Sequence, residues 1–442
     1  MIATAITDGG GIRHLLPLPP KSHRIVARHH QPVQRIKQVA PRFQTGCSRS
    51  ETDWLQPALI RNPALAPCAT LRLTGTMTAN LTPLAASLPS TVPFVGPETQ
   101  ERSLGRPFRV RLGANESMFG PSPHAIAAMQ AAAAQAWMYG DPENHDLKAG
   151  LAAHHGIAPA NIVVGEGIDG LLGTLVRLLI GPGDRVVTSL GAYPTFNFHV
   201  TGFGGDLIKV PYHGTFENPD ALLAAARLHK AKLIYLSNPD NPMGSHHPAA
   251  TIKEMIDGLP QGCLLVLDEA YIDLAPKGTA PSVAADDPRV IRMRTFSKAH
   301  GLAGLRVGYA IAAPELARAF DKMRNHFGVG RVAQAGALAA LGDPSHLTAV
   351  RAQVATARLR LIAIAADAGI VALPSATNFS CLDLGRDGDY ARATLRALTD
   401  LGVFVRMPGV APHDRCIRVS HGTTDAMDVF ADALPRALKS AG

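Results

Sequence analysis

The stretch Lys232-Leu233-Ile234-Tyr235-Leu236-Ser237-Asn238-Pro239-Asp240-Asn241-Pro242-Met243-Gly244 reads as one apolar strand running into a Pro/Asn loop. A helix comes next, near Pro248–Gly258. Cys263–Leu267 is then a second apolar strand, stopping at Asp268-Glu269. Short apolar runs separated by helices are the pattern of buried parallel strands. Toward the N-terminus, Asn161–Gly165, Arg185–Leu190 and Leu207–Pro211 read as strands. Helices are expected after Gly167-Ile168-Asp169-Gly170, after Tyr193-Pro194-Thr195 and over Pro219–His229. Toward the C-terminus, Val290–Arg294 and Arg306–Ala312 complete seven strands. The pattern predicts an α/β fold whose large domain has a mostly parallel seven-stranded sheet between helices. Beyond Pro314, helices mix with strands at Asn378–Leu384, Val403–Arg406 and Cys416–Ser420, which predicts a smaller α+β domain. The expected divisions are 1–100 as a basic, disordered extension, 101–140 as a segment joining the small domain, 141–330 as the large domain, and 331–442 as the small one.

The charge pattern separates the first of these from the rest. Residues 1–76 carry ten Lys and Arg against Asp8, Glu51 and Asp53, a net of +7. The other 366 residues carry 33 basic and 32 acidic side chains, a net of +1. The body of the chain is balanced and shows no basic footprint for nucleic acid. Three readings fit the basic stretch: a transit peptide, a DNA-binding arm, or sequence upstream of a start at Met77. Its early prolines work against an amphipathic transit helix, and it lacks a helix-turn-helix pattern; the reading with Met77 as start is the favoured one. No apolar run is long enough for a membrane span. Cys47, Cys68, Cys263, Cys381 and Cys416 are scattered without a C-x-x-C pair, as expected of reduced thiols in a cytoplasmic protein. No spacing of Cys and His suggests a metal site.

In open α/β sheets, ligands bind beyond the carboxyl ends of the strands. Asp169, Thr195, Asn241, Asp268, Tyr271, Ser297 and Lys298 all fall there. Within Met293-Arg294-Thr295-Phe296-Ser297-Lys298-Ala299-His300-Gly301-Leu302-Ala303-Gly304-Leu305-Arg306-Val307-Gly308-Tyr309, one lysine sits between a hydroxyl residue and a Gly-rich turn. A desolvated lysine there traps carbonyl compounds as a Schiff base, and Ser297 and Arg306 suit a phosphate beside it. Taken alone, the same residues equally fit a surface lysine in a loop.

Six motifs in order break that tie. They are Ala114-Asn115-Glu116 with Gly120-Pro121-Ser122, Tyr139 with Asp141-Pro142, Ser237 through Gly244, Asp268-Glu269-Ala270-Tyr271, the lysine stretch, and Cys416-Ile417-Arg418-Val419. Together they resemble the fold-type I pyridoxal-phosphate enzymes of the class I/II aminotransferases, most of all the histidinol-phosphate aminotransferases. The resemblance spans about residues 108 to 440 and implies an aspartate-aminotransferase-like fold and a homodimer with shared active sites. Gly140 stands where the family has Pro, and Met243 where it has Thr.

The resemblance also implies roles. Lys298 would carry pyridoxal 5'-phosphate, Asp268 would pair with its ring nitrogen, and Asn241 and Tyr271 would bond its ring oxygen. Gly167, Ile168 and Asp169 at a helix start, with Thr295, Ser297 and Arg306, would cup the phosphate. Tyr139 would reach the partner subunit's phosphate, and Phe196 would stack on the ring, with Tyr193 nearer in character but out of position. Arg418 would bind the substrate carboxylate, with Asn115 and Asn378 nearby. Arg406 fits a second anionic group or solvent equally well. The expected substrates are an amino donor, histidinol phosphate foremost, and 2-oxoglutarate as acceptor. A broad aromatic aminotransferase, a threonine-phosphate decarboxylase-like enzyme and a non-enzymatic regulator are the alternatives. Phe327-Gly328-Val329-Gly330-Arg331 lacks the two asparagines usual in the histidinol-phosphate enzymes, which leaves the donor open.

Overall fold

In the computed structural model, which describes residues 80–89 and 95–442, the seven apolar segments lie side by side in one sheet. In chain order they are β1 (Ile162–Gly165), β2 (Arg185–Ser189), β3 (Asp206–Val210), β4 (Leu233–Ser237), β5 (Leu264–Asp268), β6 (Val290–Thr295) and β7 (Gly308–Ile311). The spatial order is β1-β7-β6-β5-β4-β2-β3. β7 runs antiparallel to both β1 and β6, and every other pairing is parallel.

Every residue of β4 is buried, so both faces of the sheet are covered. The two-residue period divides the side chains. Tyr235, Val266 and Ile291 pack with Leu172 and Phe196 on one face. Ile234, Leu236 and Leu265 pack with Leu222 and Ile252 on the other. Each such aliphatic side chain contributes roughly 1.5–3 kcal/mol when fully removed from water.

The helix Gly167–Leu179 starts hard against β7. A Cβ on Gly308 would lie 2.8 to 2.9 Å from the backbone of Gly167 and Ile168. Gly308→Ala is therefore expected to destabilise the protein by about 1–3 kcal/mol in a denaturant titration, because the contact is backbone and cannot swing aside. An unchanged midpoint would show that the helix start can move.

The smaller domain has its own core, including Leu361, Leu382, Leu398, Val419, Phe430 and Leu434. Its antiparallel sheet has β10 (Cys416–Ser420) beside β9 (Phe379–Asp383), then β8 (Val371–Ala372). Val110–Arg111 pairs in parallel with Val403–Phe404, so the chain before the large domain is tied to its far end.

Packing moves two expected boundaries. The helices Pro123–Ala133 and Arg331–Leu341 pack together through Ala125, Met129, Ala333 and Ala337, in one core with β1 and β7. Both belong with the large domain, although the sequence assigns them to segments of the small one. The disorder expected up to residue 100 is also corrected within the described residues. Pro83–Ser87 and Pro97–Leu104 are helices, each opened by its proline. Proline at a helix start loses no hydrogen bond and presets φ. Glu101 then accepts from the Phe108 amide at 2.9 Å and pairs with Arg111. The readings of residues 1–79, Met77 included, lie outside the described residues. Among those described, no helix is long and apolar enough to cross a membrane.

Candidate active site

Four strand ends converge on one cavity of about 1020 Å³. β1 leads into the helix start at Gly167, β4 into the Asn238–Gly244 loop, β5 ends at Asp268, and β6 ends three residues before Lys298. The small domain adds Arg406 and Arg418, whose backbones bond each other across a β-bridge. Asn115, Ile168, Asp169, Asn241, Asp268, Tyr271, Thr295, Ser297, Lys298, Arg306, Arg406 and Arg418 all line this space.

Lys298 is held by backbone rather than by a carboxylate. Its Nζ donates to the Asn115 carbonyl at 3.2 Å and lies 5.6 Å from the centre of the Tyr271 ring. Burial, and then the nearby Arg418 guanidinium, bring the amine down to about 8. Asn115 organises this corner from a left-handed backbone, with φ of 57°. Its carbonyl also accepts from Asn378 Nδ2 at 3.0 Å, and its own Nδ2 donates to the Tyr271 oxygen at 3.0 Å. Burial pushes the Tyr271 phenol up to about 12, so its proton stays in place to be donated elsewhere.

Asp268 is buried and accepts from Tyr235 OH at 2.7 Å and from the Ala270 amide at 2.9 Å. Burial raises its carboxyl to about 6, against the lowering effect of both bonds. Arg418 donates to Asn241 Oδ1 and, at 3.3 Å, to the Gly113 carbonyl. With Asn241 Oδ1 occupied, its amide NH₂ is the group that can donate into the cavity.

The opposite end is built for an anion. Gly167 opens its helix at φ 73°, and a Cβ there would collide with the Arg306 guanidinium. Arg306 Nη1 donates to Ser297 Oγ at 3.2 Å, and the Ser297 amide donates to Thr295 Oγ1 at 3.1 Å. Helix-start amides, two hydroxyls and a guanidinium are the donors a phosphate needs. The bare glycine lets the cation approach the helix start. With an amine and a buried carboxylate in the same cavity, this donor set fits pyridoxal phosphate.

Two expected residues are displaced from the cavity wall. Phe196 is fully buried in the sheet core, its ring stacked on Tyr235 at 4.7 Å. Pro194 begins that helix at its first turn, and the phase turns Phe196 to the sheet. Tyr193, just before the helix, lines the cavity instead and donates to Asp169 Oδ1 at 3.0 Å. Asn378 sits behind Asn115, in contact with its carbonyl rather than with the cavity. Tyr139 lies outside its own chain's cavity, 77% exposed, with its ring 4.8 Å from Phe327. The Phe327–Arg331 loop is likewise outside, and Arg331 donates to the Tyr139 carbonyl at 2.8 Å. Arg406 lines the cavity and donates to the Val95 carbonyl at 2.9 Å. Sequence reading misses Tyr235, since only the strand register brings it under Asp268.

The family model for aminotransferase class I and II matches residues 109–434. The chain belongs to this family. Among relatives of this aminotransferase, a histidinol-phosphate aminotransferase of Moorella thermoacetica is 35% identical over 76% of this chain and 87% of its own. An aromatic amino acid aminotransferase of Mycolicibacterium paratuberculosis is 36% identical over 77% of this chain and 97% of its own. The crystal structure of histidinol-phosphate aminotransferase from Sinorhizobium meliloti, in complex with pyridoxal 5'-phosphate, is 52% identical. It superposes with a TM-score of 0.80 over 83% of this chain and 100% of its own. A tetra mutant of Thermus thermophilus aspartate aminotransferase, 23% identical with a TM-score of 0.65 over 74% of this chain and 96% of its own, shares the fold.

Proposed function

We propose that this aminotransferase uses pyridoxal 5'-phosphate to move the amino group of histidinol phosphate onto 2-oxoglutarate. One observation carries the reading: a half-buried amine, lowered to about 8, shares a cavity with a buried carboxylate, between an anion cup and two further arginines. The names and similarity of the Sinorhizobium meliloti and Moorella thermoacetica proteins support histidinol phosphate as donor.

In this reading Lys298 holds the cofactor, whose ring supplies an electron sink for the donor's α-carbon. With the cofactor bound, Lys298 Nζ would be placed to take up the proton of the donor's α-carbon. Asp268 would keep a positive charge on the cofactor ring nitrogen. Tyr271 and Asn241 would donate to the ring oxygen, and the backbone amides of Gly167, Ile168 and Asp169, with Thr295, Ser297 and Arg306, would hold the phosphate. Tyr193 takes the stacking place that Phe196 leaves. Arg418 grips the carboxylate of the acceptor, and Arg406 receives the donor's phosphate. Tyr139, exposed on its own subunit, reaches the second site of a homodimer. The buried free thiols of Cys263, Cys381 and Cys416 agree with the cytoplasm as the compartment.

Two results are expected. Arg418→Gln raises KM for 2-oxoglutarate by about 10- to 100-fold, the worth of a charge-assisted pair, measured by steady-state kinetics. Capture of added cofactor by the cofactor-free protein requires the neutral amine of Lys298. Since the pKa is lowered from the ordinary lysine value to about 8, the capture rate climbs through pH 8 and levels off above it. A rate still climbing through pH 10 in stopped-flow absorbance would contradict the lowered value.

The reading is tested by spectral titration of the loaded protein with histidinol phosphate, phenylalanine, tyrosine, aspartate and threonine phosphate. Histidinol phosphate is expected to bleach the cofactor band at the lowest concentration. Phenylalanine or tyrosine doing so first would move the enzyme to the aromatic aminotransferases. Release of carbon dioxide from threonine phosphate would make it a decarboxylase.

A further inference from the structure

Asp268 has no cationic partner of its own: among the described residues, no arginine, lysine or histidine forms an ion pair with it. Glu269 beside it takes both Arg292 and Arg294. What Asp268 has instead is a phenol. β4 and β5 are in parallel register, with Ser237 opposite Asp268 and Tyr235 opposite Val266. Tyr235 therefore shares the sheet face of Asp268, one step back along the neighbouring strand. Its ring is fully buried and stacked on Phe196 at 4.7 Å with 16° between planes, which fixes its direction. From that seat its OH donates to Asp268 Oδ2 at 2.7 Å, while the Ala270 amide donates to Oδ1 at 2.9 Å. Two donors, one on each oxygen, define the carboxylate plane and leave a lone pair of each oxygen for the cavity.

We propose that Tyr235 is a positioning residue for Asp268, holding its carboxylate in the orientation that meets a protonated ring nitrogen of the bound cofactor. The proposal rests on Asp268 being the partner of that ring nitrogen. Phe196 acts one step further back, keeping the Tyr235 ring from turning.

The electrostatic surroundings agree with this role. Burial first, then Asp268, raise the Tyr235 phenol well above its usual range, so it remains a donor. Burial first, and to a lesser degree Asp169 and Glu269, push Asp268 toward its neutral form, and the Tyr235 and Ala270 bonds oppose them. Tyr271 and Lys298 face the same cavity, and Glu217 lies behind β4, bonded to the Ser237 amide. Without the phenol, the proton shared between Asp268 and the ring moves toward Asp268.

The test loads the full chain with cofactor carrying ¹⁵N at the ring nitrogen and follows its NMR shift against pH. Tyr235→Phe is expected to move the signal toward the unprotonated position and to lower kcat by about tenfold, with donor KM changed less than about twofold. Asp268→Asn is expected to move the signal further in the same direction. If Asp268→Asn moves it and Tyr235→Phe leaves shift and pH profile as in the parent, the role of Tyr235 is overturned alone. If Asp268→Asn leaves it in place, the reading of Asp268 fails and this proposal with it. Should Tyr235→Phe not fold, fluorotyrosine at position 235 keeps ring and hydroxyl and donates more strongly. It is expected to move the signal toward the protonated position, and an unmoved signal overturns the proposal.

Discussion

Lys298→Ala is expected to lower kcat by about 10⁴-fold, the upper end of what a positioned proton-transfer group supplies. The size of the loss comes from the seat of the side chain. Its Nζ is half-buried, bonded to the Asn115 carbonyl, and the Tyr271 ring is beside it. Among the described residues no other lysine reaches that point; Lys209, which also lines the cavity, is exposed on an outer strand. Stability should change little, since the variant removes a half-buried amine that forms no ion pair among the described residues. The measurement is single-turnover kinetics on protein reconstituted with cofactor, beside a thermal melt. A loss smaller than tenfold would assign the proton transfer to another group.

Asp268→Asn is expected to cost about 10²- to 10³-fold in kcat, the range for removing one preorganised electrostatic contact. Asparagine keeps the size of the side chain, and its Oδ1 can still accept from the Ala270 amide. It cannot carry the charge. Its NH₂ would also face the Tyr235 phenol, which then loses its acceptor at 2.7 Å. A drop in kcat with donor KM within a fewfold separates this from simple loss of binding. A variant as active as the parent would show that the ring nitrogen needs no carboxylate here.

The sheet is legible in the sequence because its strands carry little but buried aliphatic residues, and turns separate them cleanly. Strand-end polar residues such as Asp268 and Asn241 can be placed for the same reason: a strand that ends at the sheet's edge delivers its next few residues to the cavity there. Other features depend on phase or register, which a linear sequence hides. Whether Tyr193 or Phe196 faces the cavity is decided by Pro194 fixing the helix start between them. That Tyr235 lies beneath Asp268 is a consequence of the β4–β5 register. Asn378 has the sequence position of a substrate contact, yet it reaches only backbone carbonyls of the Asn115 segment. The helix Pro97–Leu104 is hidden by prolines that look like breakers, one of which begins it. The two boundary helices share small alanine faces, and their mutual packing has no local signature.

If Lys298 carries the cofactor, the two are joined as an imine. Borohydride reduces an imine between a lysine and a carbonyl compound to a stable secondary amine, which survives digestion and can be located by peptide mass spectrometry. The added cofactor mass is expected on Lys298 and on no other lysine, and is expected to be lost when a saturating amino donor is present before reduction. Cofactor mass on a different lysine, or none on the reduced protein, would contradict that assignment.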